Sequence, residues 1–196
     1  MSVTNTDNRP TVAVYGSSVT GQDEPAYAQA VEAGRLLAMA GARVACGGYG
    51  GVMEAVSRGA SEAGGEVVGF TVRSFQGRSP NPYLSQEVPC EDLYQRLANL
   101  IDGADALVAM GGGIGTLVEV FLAWNALYMG LIEPRPLILV GGLWETALAG
   151  LSEAMEITDS HMDHVSLVAG PAEAVALLAD RGDSMSGSSL LRKSSN

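Results

Sequence analysis

Short apolar runs typical of buried strands alternate with longer segments of helical periodicity along nearly the whole chain. Several of these runs end directly in glycines, as strands do where the chain turns into a helix. Parallel strands that helices cover on both faces read as continuous apolar runs, and repeated strand-then-helix units join them through right-handed crossovers. The pattern therefore predicts a doubly wound, Rossmann-like, three-layer α/β/α fold with a mostly parallel sheet of about six or seven strands.

The alternation also predicts how the chain is divided. The predicted strands cover 11–16, 42–48, 66–72, 104–110, 136–142 and 164–170. The predicted helices cover 25–40, 52–64, 91–102, 115–129, 144–155 and 171–180. We expect a single nucleotide-binding domain over 11–180, a flexible N-terminus over 1–10 and a disordered Ser/Gly-rich tail over 181–196.

Charge and composition exclude several classes of protein. The formal net charge of −11 disfavours nonspecific binding to nucleic acid, so an anionic ligand must be held by local groups such as backbone amides, helix N-termini and arginines. No apolar run is long enough to span a membrane, and the polar N-terminus has no signal-peptide core, so we expect a cytoplasmic protein. Cys46 and Cys90 are too few for a disulfide scaffold. His161 and His164 form an H-x-x-H pattern with no third cluster of ligands, which is too weak to predict a metal site.

The strongest local signal is MGGGIGTLVEV at 110–120, where a strand ends and a helix begins. Four of its five residues from 111 to 115 are glycines, which let a backbone approach a ligand closely. The first amides of a helix lack intrahelical partners and attract anions. The predicted phosphate-binding residues of this turn are Gly111, Gly112, Gly113, Gly115 and Thr116. Glu119 follows one helical turn later, where a carboxylate suits a sugar hydroxyl better than a phosphate.

A second turn, ACGGYGGVMEA at 45–55, has the same layout, and we expect the two turns to face each other from neighbouring strands. Its predicted ligand-binding residues are Gly47, Gly48, Gly50, Gly51 and Met53, and the first strand contributes Gly16 and Ser17. The dinucleotide signature G-x-G-x-x-G is absent, so a mononucleotide is the better fit. The alternative for the turn at 111–115 is that its glycines only let a helix pack closely against a strand and that Glu119 is a solvated residue of the first helical turn.

These motifs together resemble one known family. GGYGGVMEAVSRGASEAGGEVVG at 47–69 and GGGIGTLVE at 111–119 are similar to the Lonely guy family and its bacterial SLOG-type relatives, which often carry the label of lysine decarboxylase. VYGSS at 14–18 and NPYL at 81–84 add to the likeness, which covers roughly residues 11 to 170. That label is excluded here, because Lys193 is the only lysine and a pyridoxal-phosphate enzyme needs a lysine in its site.

The resemblance implies a homodimer or higher homo-oligomer that hydrolyses the N-glycosidic bond of an AMP-type nucleotide, giving the free base and ribose 5-phosphate. It implies that Arg96 and Glu119 are catalytic and that no metal or redox cofactor is needed, because water is the second substrate. The alternative is a non-catalytic protein that binds or carries a nucleotide or molybdenum cofactor in the same phosphate cradle.

The chain departs from the family pattern near both turns. Met110 stands near the usual proline, Leu97 replaces a polar residue after the arginine, Cys46 replaces a glycine, and Glu54 replaces a small residue. These departures place the chain nearer to the bacterial branch. Trp124, Tyr128 and Met129 follow the cradle helix, and their spacing favours core or dimer packing over base stacking.

Overall fold

A computed structural model describes residues 9–75 and 77–185 of the chain, with side chains up to residue 180. In this part of the chain, seven strands form one sheet in the order β4-β3-β2-β1-β5-β6-β7, and every neighbouring pair is parallel. Helices cover both faces. The predicted three-layer Rossmann-like fold is confirmed.

The strands are β1 Thr11–Tyr15, β2 Arg43–Cys46, β3 Val67–Val72, β4 Gln86–Cys90, β5 Ala106–Ala109, β6 Leu137–Val140 and β7 Ser166–Val168. The helices are α1 Pro25–Met39, α2 Val52–Glu62, α3 Leu93–Asp102, α4 Ile114–Tyr128, α5 Gly142–Ala154, α6 Asp159–Met162 and α7 Pro171–Met185. None of these helices is both long and apolar enough to cross a membrane.

Alternating side chains of the strands build a separate apolar core on each face of the sheet. Val12 and Val14 of β1 pack into the core beneath α1, α2 and α7, while Ala13 and Tyr15 pack into the core beneath α3, α4 and α5. The central strands are buried along their whole length, which accounts for their continuous apolar sequence.

The direction of winding reverses between β1 and β5. The chain first adds β2, β3 and β4 on one side of β1, and α3 then carries it back to β5 on the other side. The loops that follow β1 and β5 therefore diverge at the carboxyl edge of the sheet. In doubly wound folds this is where ligands bind.

The structure departs from the sequence-based expectations in several places, including the short helix α6, where the sequence predicted a loop. The strand β4 lies at 86–90, where the sequence predicted a loop. The two glycine-rich turns do not follow neighbouring strands, because β1 lies between β2 and β5. Helix α7 continues to residue 185, five residues past its predicted end. The rest of the predicted tail and most of the predicted flexible N-terminus lie outside the described residues.

Candidate functional site

The N-terminus of α4 opens directly at the switch point. Gly113 is its N-cap residue and provides no side-chain cap, and the amide of Leu117 donates to the Gly113 carbonyl at 3.0 Å. The amides before Leu117 in the first turn therefore have no acceptor within the helix. The β1 loop is joined to this turn, because the Ser17 amide donates to the Gly111 carbonyl at 3.0 Å. Together the two loops form a concave surface suited to an anion.

A buried ion pair lies next to this helix turn. Arg96 on α3 and Glu119 on α4 are each 7% exposed, and Nη1 of the arginine donates to Oε1 of the glutamate at 3.2 Å. Nε of Arg96 donates to the Phe70 carbonyl at 2.9 Å, and Nη2 lies 3.8 Å from Sδ of Met53. The guanidinium is thus held from three sides, which fixes the direction in which Glu119 points.

Burial changes the acidity of Glu119. The loss of solvent raises the pKa of this carboxyl to about 7, against the opposing attraction of the Arg96 guanidinium. A carboxyl with a pKa near neutrality can both accept and return a proton under ordinary conditions. Such a shift in a cleft is typical of a group that takes part in chemistry.

The ion pair and the helix turn share one cavity of about 620 Å³, a size common for small-molecule sites. Of the predicted site residues, the cavity is lined by Gly16, Ser17, Met53, Arg96, Gly113, Gly115, Thr116 and Glu119. It is also lined by Ser18, Val19, Tyr49, Ser74, Phe75, Arg78, Leu93 and Ile114, which the sequence did not single out. The structure therefore brings the predicted catalytic pair and the predicted cradle to one place.

Six predicted ligand-binding glycines do not line this cavity, and their contact with a ligand stays a prediction: Gly47, Gly48, Gly50, Gly51, Gly111 and Gly112. Most of them are needed because other groups come too close for a side chain. A Cβ at Gly47 would collide with the guanidinium of Arg96, and a Cβ at Gly112 would collide with the Thr116 hydroxyl. Gly47 and Gly112 therefore leave room for two side chains that line the cavity, those of Arg96 and Thr116.

The second glycine turn is held by a residue whose role the sequence did not reveal. Asn81 is 7% exposed, its amide donates to the Gly48 carbonyl at 2.9 Å, and its Nδ2 donates to the Tyr49 carbonyl at 3.2 Å. Asn81 belongs to the NPYL segment that contributed to the family resemblance. Its burial fixes the turn that leaves space for Arg96.

The departures from the family pattern lie mostly outside the cavity lining. Leu97 is buried beside Arg96. Glu54 accepts hydrogen bonds from Gln22 at 2.9 Å and from the Tyr27 hydroxyl at 3.0 Å, so it braces the β1 loop and α1. His161 caps the short helix α6 through Thr158, and its ring stacks on Tyr128 with 4.2 Å between ring centres.

The acidity of Glu119 predicts a pH dependence of stability. The folded chain holds the carboxyl proton more tightly than the unfolded chain, so the stabilisation present below about pH 4 is lost as the pH rises toward 7. Between pH 5 and 8 we expect the free energy of unfolding to fall by roughly 2 kcal/mol more in the native protein than in Glu119→Gln. Urea unfolding of both proteins across this range measures the difference, and parallel pH curves would contradict the raised pKa.

The fold and the site together define a class: a doubly wound α/β protein with a cavity at its switch point, lined by an open helix N-terminus and a buried arginine–glutamate pair. Comparison with known proteins gives the family. Residues 9–162 match the sequence profile described as the SLOG cluster4 family, and the chain belongs to that family.

Three similar proteins illustrate its relatives. A cytokinin riboside 5'-monophosphate phosphoribohydrolase from Mycobacterium tuberculosis is 31% identical over 139 residues, which are 66% of this chain and 70% of that protein. The structural-genomics protein TM1055 is 31% identical, with a TM-score of 0.71 over 87% of this chain and 99% of that one. The molybdenum cofactor binding protein from the phototrophic bacterium Rippkaea orientalis is 25% identical, with a TM-score of 0.69 over 88% of this chain and 97% of that one. The curated relatives are matched over 59 to 70% of their own lengths.

Proposed function

We propose that this protein is a nucleoside 5'-monophosphate phosphoribohydrolase that hydrolyses the N-glycosidic bond of an AMP-type nucleotide. The observation that carries the proposal is the buried Arg96–Glu119 pair beside the uncapped N-terminus of α4, in one cavity. The similarity to the Mycobacterium tuberculosis phosphoribohydrolase supports it.

In this proposal the first turn of α4 holds the 5'-phosphate through its amides, and the Thr116 hydroxyl and the Ser17 loop complete the cradle. The ribose then lies over Glu119. As the bond between C1' and the base nitrogen breaks, its electron pair leaves with the base and positive charge develops on the ribose ring. The Glu119 carboxylate stabilises that charge at close range.

Water completes the reaction. Its oxygen bonds to C1', one of its protons stays on the new hydroxyl, and the other ends on the departing base. Glu119, with a pKa of about 7, takes the proton from water and returns it to the base nitrogen. Arg96 keeps the carboxyl turned toward the ribose through its hydrogen bond at 3.2 Å. Neither step requires a metal or a redox cofactor.

The experiment that tests the proposal is incubation of the purified chain with AMP, followed by quantification of adenine and ribose 5-phosphate. We expect the two products in equal amounts. The second candidate, a carrier that binds a nucleotide or molybdenum cofactor without cleaving it, is supported by the similarity to the Rippkaea orientalis protein. AMP that binds tightly and is recovered intact would favour this carrier function over hydrolysis.

We also propose that the chain forms a homodimer through the outer face of α4. Ile114, Val118 and Leu122 recur every four residues along this helix and are 77%, 42% and 44% exposed, and Leu143 on α5 is 51% exposed. An apolar stripe of this kind is typical of an interface. Sedimentation at micromolar concentration is expected to give twice the chain mass of 20.2 kDa, and Leu122→Asp is expected to give the monomer. A native monomer would contradict the dimer.

The cytoplasmic location stays a prediction.

A further inference from the structure

Arg78, in the loop between β3 and β4, differs from the other arginines whose side chains the structure describes. Each of the others donates to a carboxylate or to backbone carbonyls: Arg9 and Arg43 to Glu66, Arg35 to Glu32, Arg58 to Glu62, Arg73 to Glu91, Arg96 to Glu119, and Arg135 to the carbonyls of Ile101 and Ala104. Arg78 makes no hydrogen bond or ion pair within the described part of the chain. Its side chain is exposed, and no carboxylate of the described residues pairs with it although the chain has 22 acidic and 11 basic residues.

Aromatic rings hold this guanidinium at the edge of the cavity. Its central carbon lies 5.8 Å from the centre of the Tyr49 ring and 5.9 Å from the centre of the Phe75 ring, within the range of cation–π attraction. The Tyr49 ring is itself fixed, because its hydroxyl accepts from the Val72 amide at 2.8 Å. Arg78 is therefore oriented by ring contacts that leave its N–H donors unused, and it lines the cavity.

The order of the strands places Arg78 at the end of the cavity away from the cradle. The cradle lies between β1 and β5, whereas Tyr49 follows β2, and Phe75 and Arg78 follow β3. At about 4.8 Å per strand, the end of β3 lies roughly 10 Å from the end of β1. The Arg96–Glu119 pair lies between these ends, since Arg96 contacts Met53 and Gly47, which follow β2 in the chain.

We propose that Arg78 is a binding residue for the base of the nucleotide, a role that rests on the proposed function. With the phosphate on α4 and C1' at Glu119, the base extends toward β3, where Arg78 and Phe75 line the cavity. The flat guanidinium packs against the face of the base, as arginine does in many sites that bind unpaired bases. The base thus replaces the partner that Arg78 lacks within the described chain.

The test compares two ligands that differ only in the base. Affinities for AMP and for ribose 5-phosphate are measured by calorimetry at 150 mM salt, in a Glu119→Gln background so that AMP is not consumed. Arg78→Ala is expected to weaken AMP binding about tenfold and to change ribose 5-phosphate binding less than twofold. Arg78→Lys is expected to resemble Arg78→Ala, because lysine keeps the charge but loses the flat surface.

Arg73→Ala is the matched control, because it removes the same charge from the same loop at a residue that pairs with Glu91 outside the cavity. Equal weakening of both ligands by Arg78→Ala would place Arg78 at the phosphate or ribose and overturn the inference. Unchanged AMP affinity, or full rescue by lysine, would overturn it as well. If the native chain hydrolyses AMP, a result that overturns the role of Arg78 leaves the proposed function intact. If the native chain binds neither AMP nor ribose 5-phosphate, both proposals fail.

Discussion

Replacing Glu119 with glutamine is expected to lower the rate constant of AMP hydrolysis at least about 10³-fold. Glutamine keeps the size of the side chain and an oxygen that accepts from Arg96, but it carries no negative charge for the ribose and takes no proton from water. Because the phosphate cradle is untouched, KM is expected to change less than about threefold. Steady-state release of adenine measures both constants.

Glu54→Gln is the matched control for this variant. Glu54 is also a glutamate on a helix that begins at a glycine-rich turn, but it hydrogen-bonds Gln22 and Tyr27 and does not line the cavity. Its variant is expected to retain nearly full activity. A Glu119→Gln enzyme that keeps a tenth or more of the native rate would show that the carboxylate is not the catalytic group.

The second large effect is expected from Gly47→Ala, a change of one methyl group outside the cavity lining. The new Cβ would overlap Nη2 of Arg96, so the guanidinium must leave the position in which its Nη1 donates to Glu119. A displacement of about 1 Å in a catalytic site can cost about 10²-fold in rate, and we expect a loss of kcat of that order. Withdrawal of the guanidinium also removes the attraction that lowers the pKa of Glu119, so the pH at which activity rises is expected to shift upward.

Gly50→Ala provides the control for that experiment. Gly50 lies in the same turn, and a Cβ there would make only ordinary contacts, at 3.8 Å from the Ser18 carbonyl oxygen and 3.9 Å from the Glu54 carboxylate. Rates and pH profiles of the two variants are compared after circular dichroism has shown that both are folded. Equal activity of the two variants would contradict the role given to Arg96.

Much of the fold could be predicted from the sequence, because buried parallel strands carry an uninterrupted apolar signal and glycines mark their ends. Strand β4 escaped prediction because it is an edge strand with mostly exposed side chains and contains Pro89, which only an edge tolerates well. The order of strands is set by long-range packing, so the expectation that the two glycine turns are neighbours was wrong.

Less of the candidate site than of the fold could be predicted from local sequence patterns. Arg96 and Glu119 lie on different helices, and only the family resemblance joined them before the structure placed them in contact. The role of Gly47 depends on where a distant guanidinium packs, which no local pattern reveals. Arg78 lies in a loop without periodicity, and the signal that could have drawn attention to it was the nearby Phe75 in a chain with few basic residues.

The proposed reaction depends on where the phosphate of a bound nucleotide lies. A crystal structure of Glu119→Gln with AMP tests this most directly. We expect the phosphate oxygens within hydrogen-bond distance of the amides of Ile114, Gly115 and Thr116, with C1' facing residue 119 and the base toward Arg78. A phosphate bound elsewhere, or a ribose turned away from residue 119, would contradict the proposed reaction.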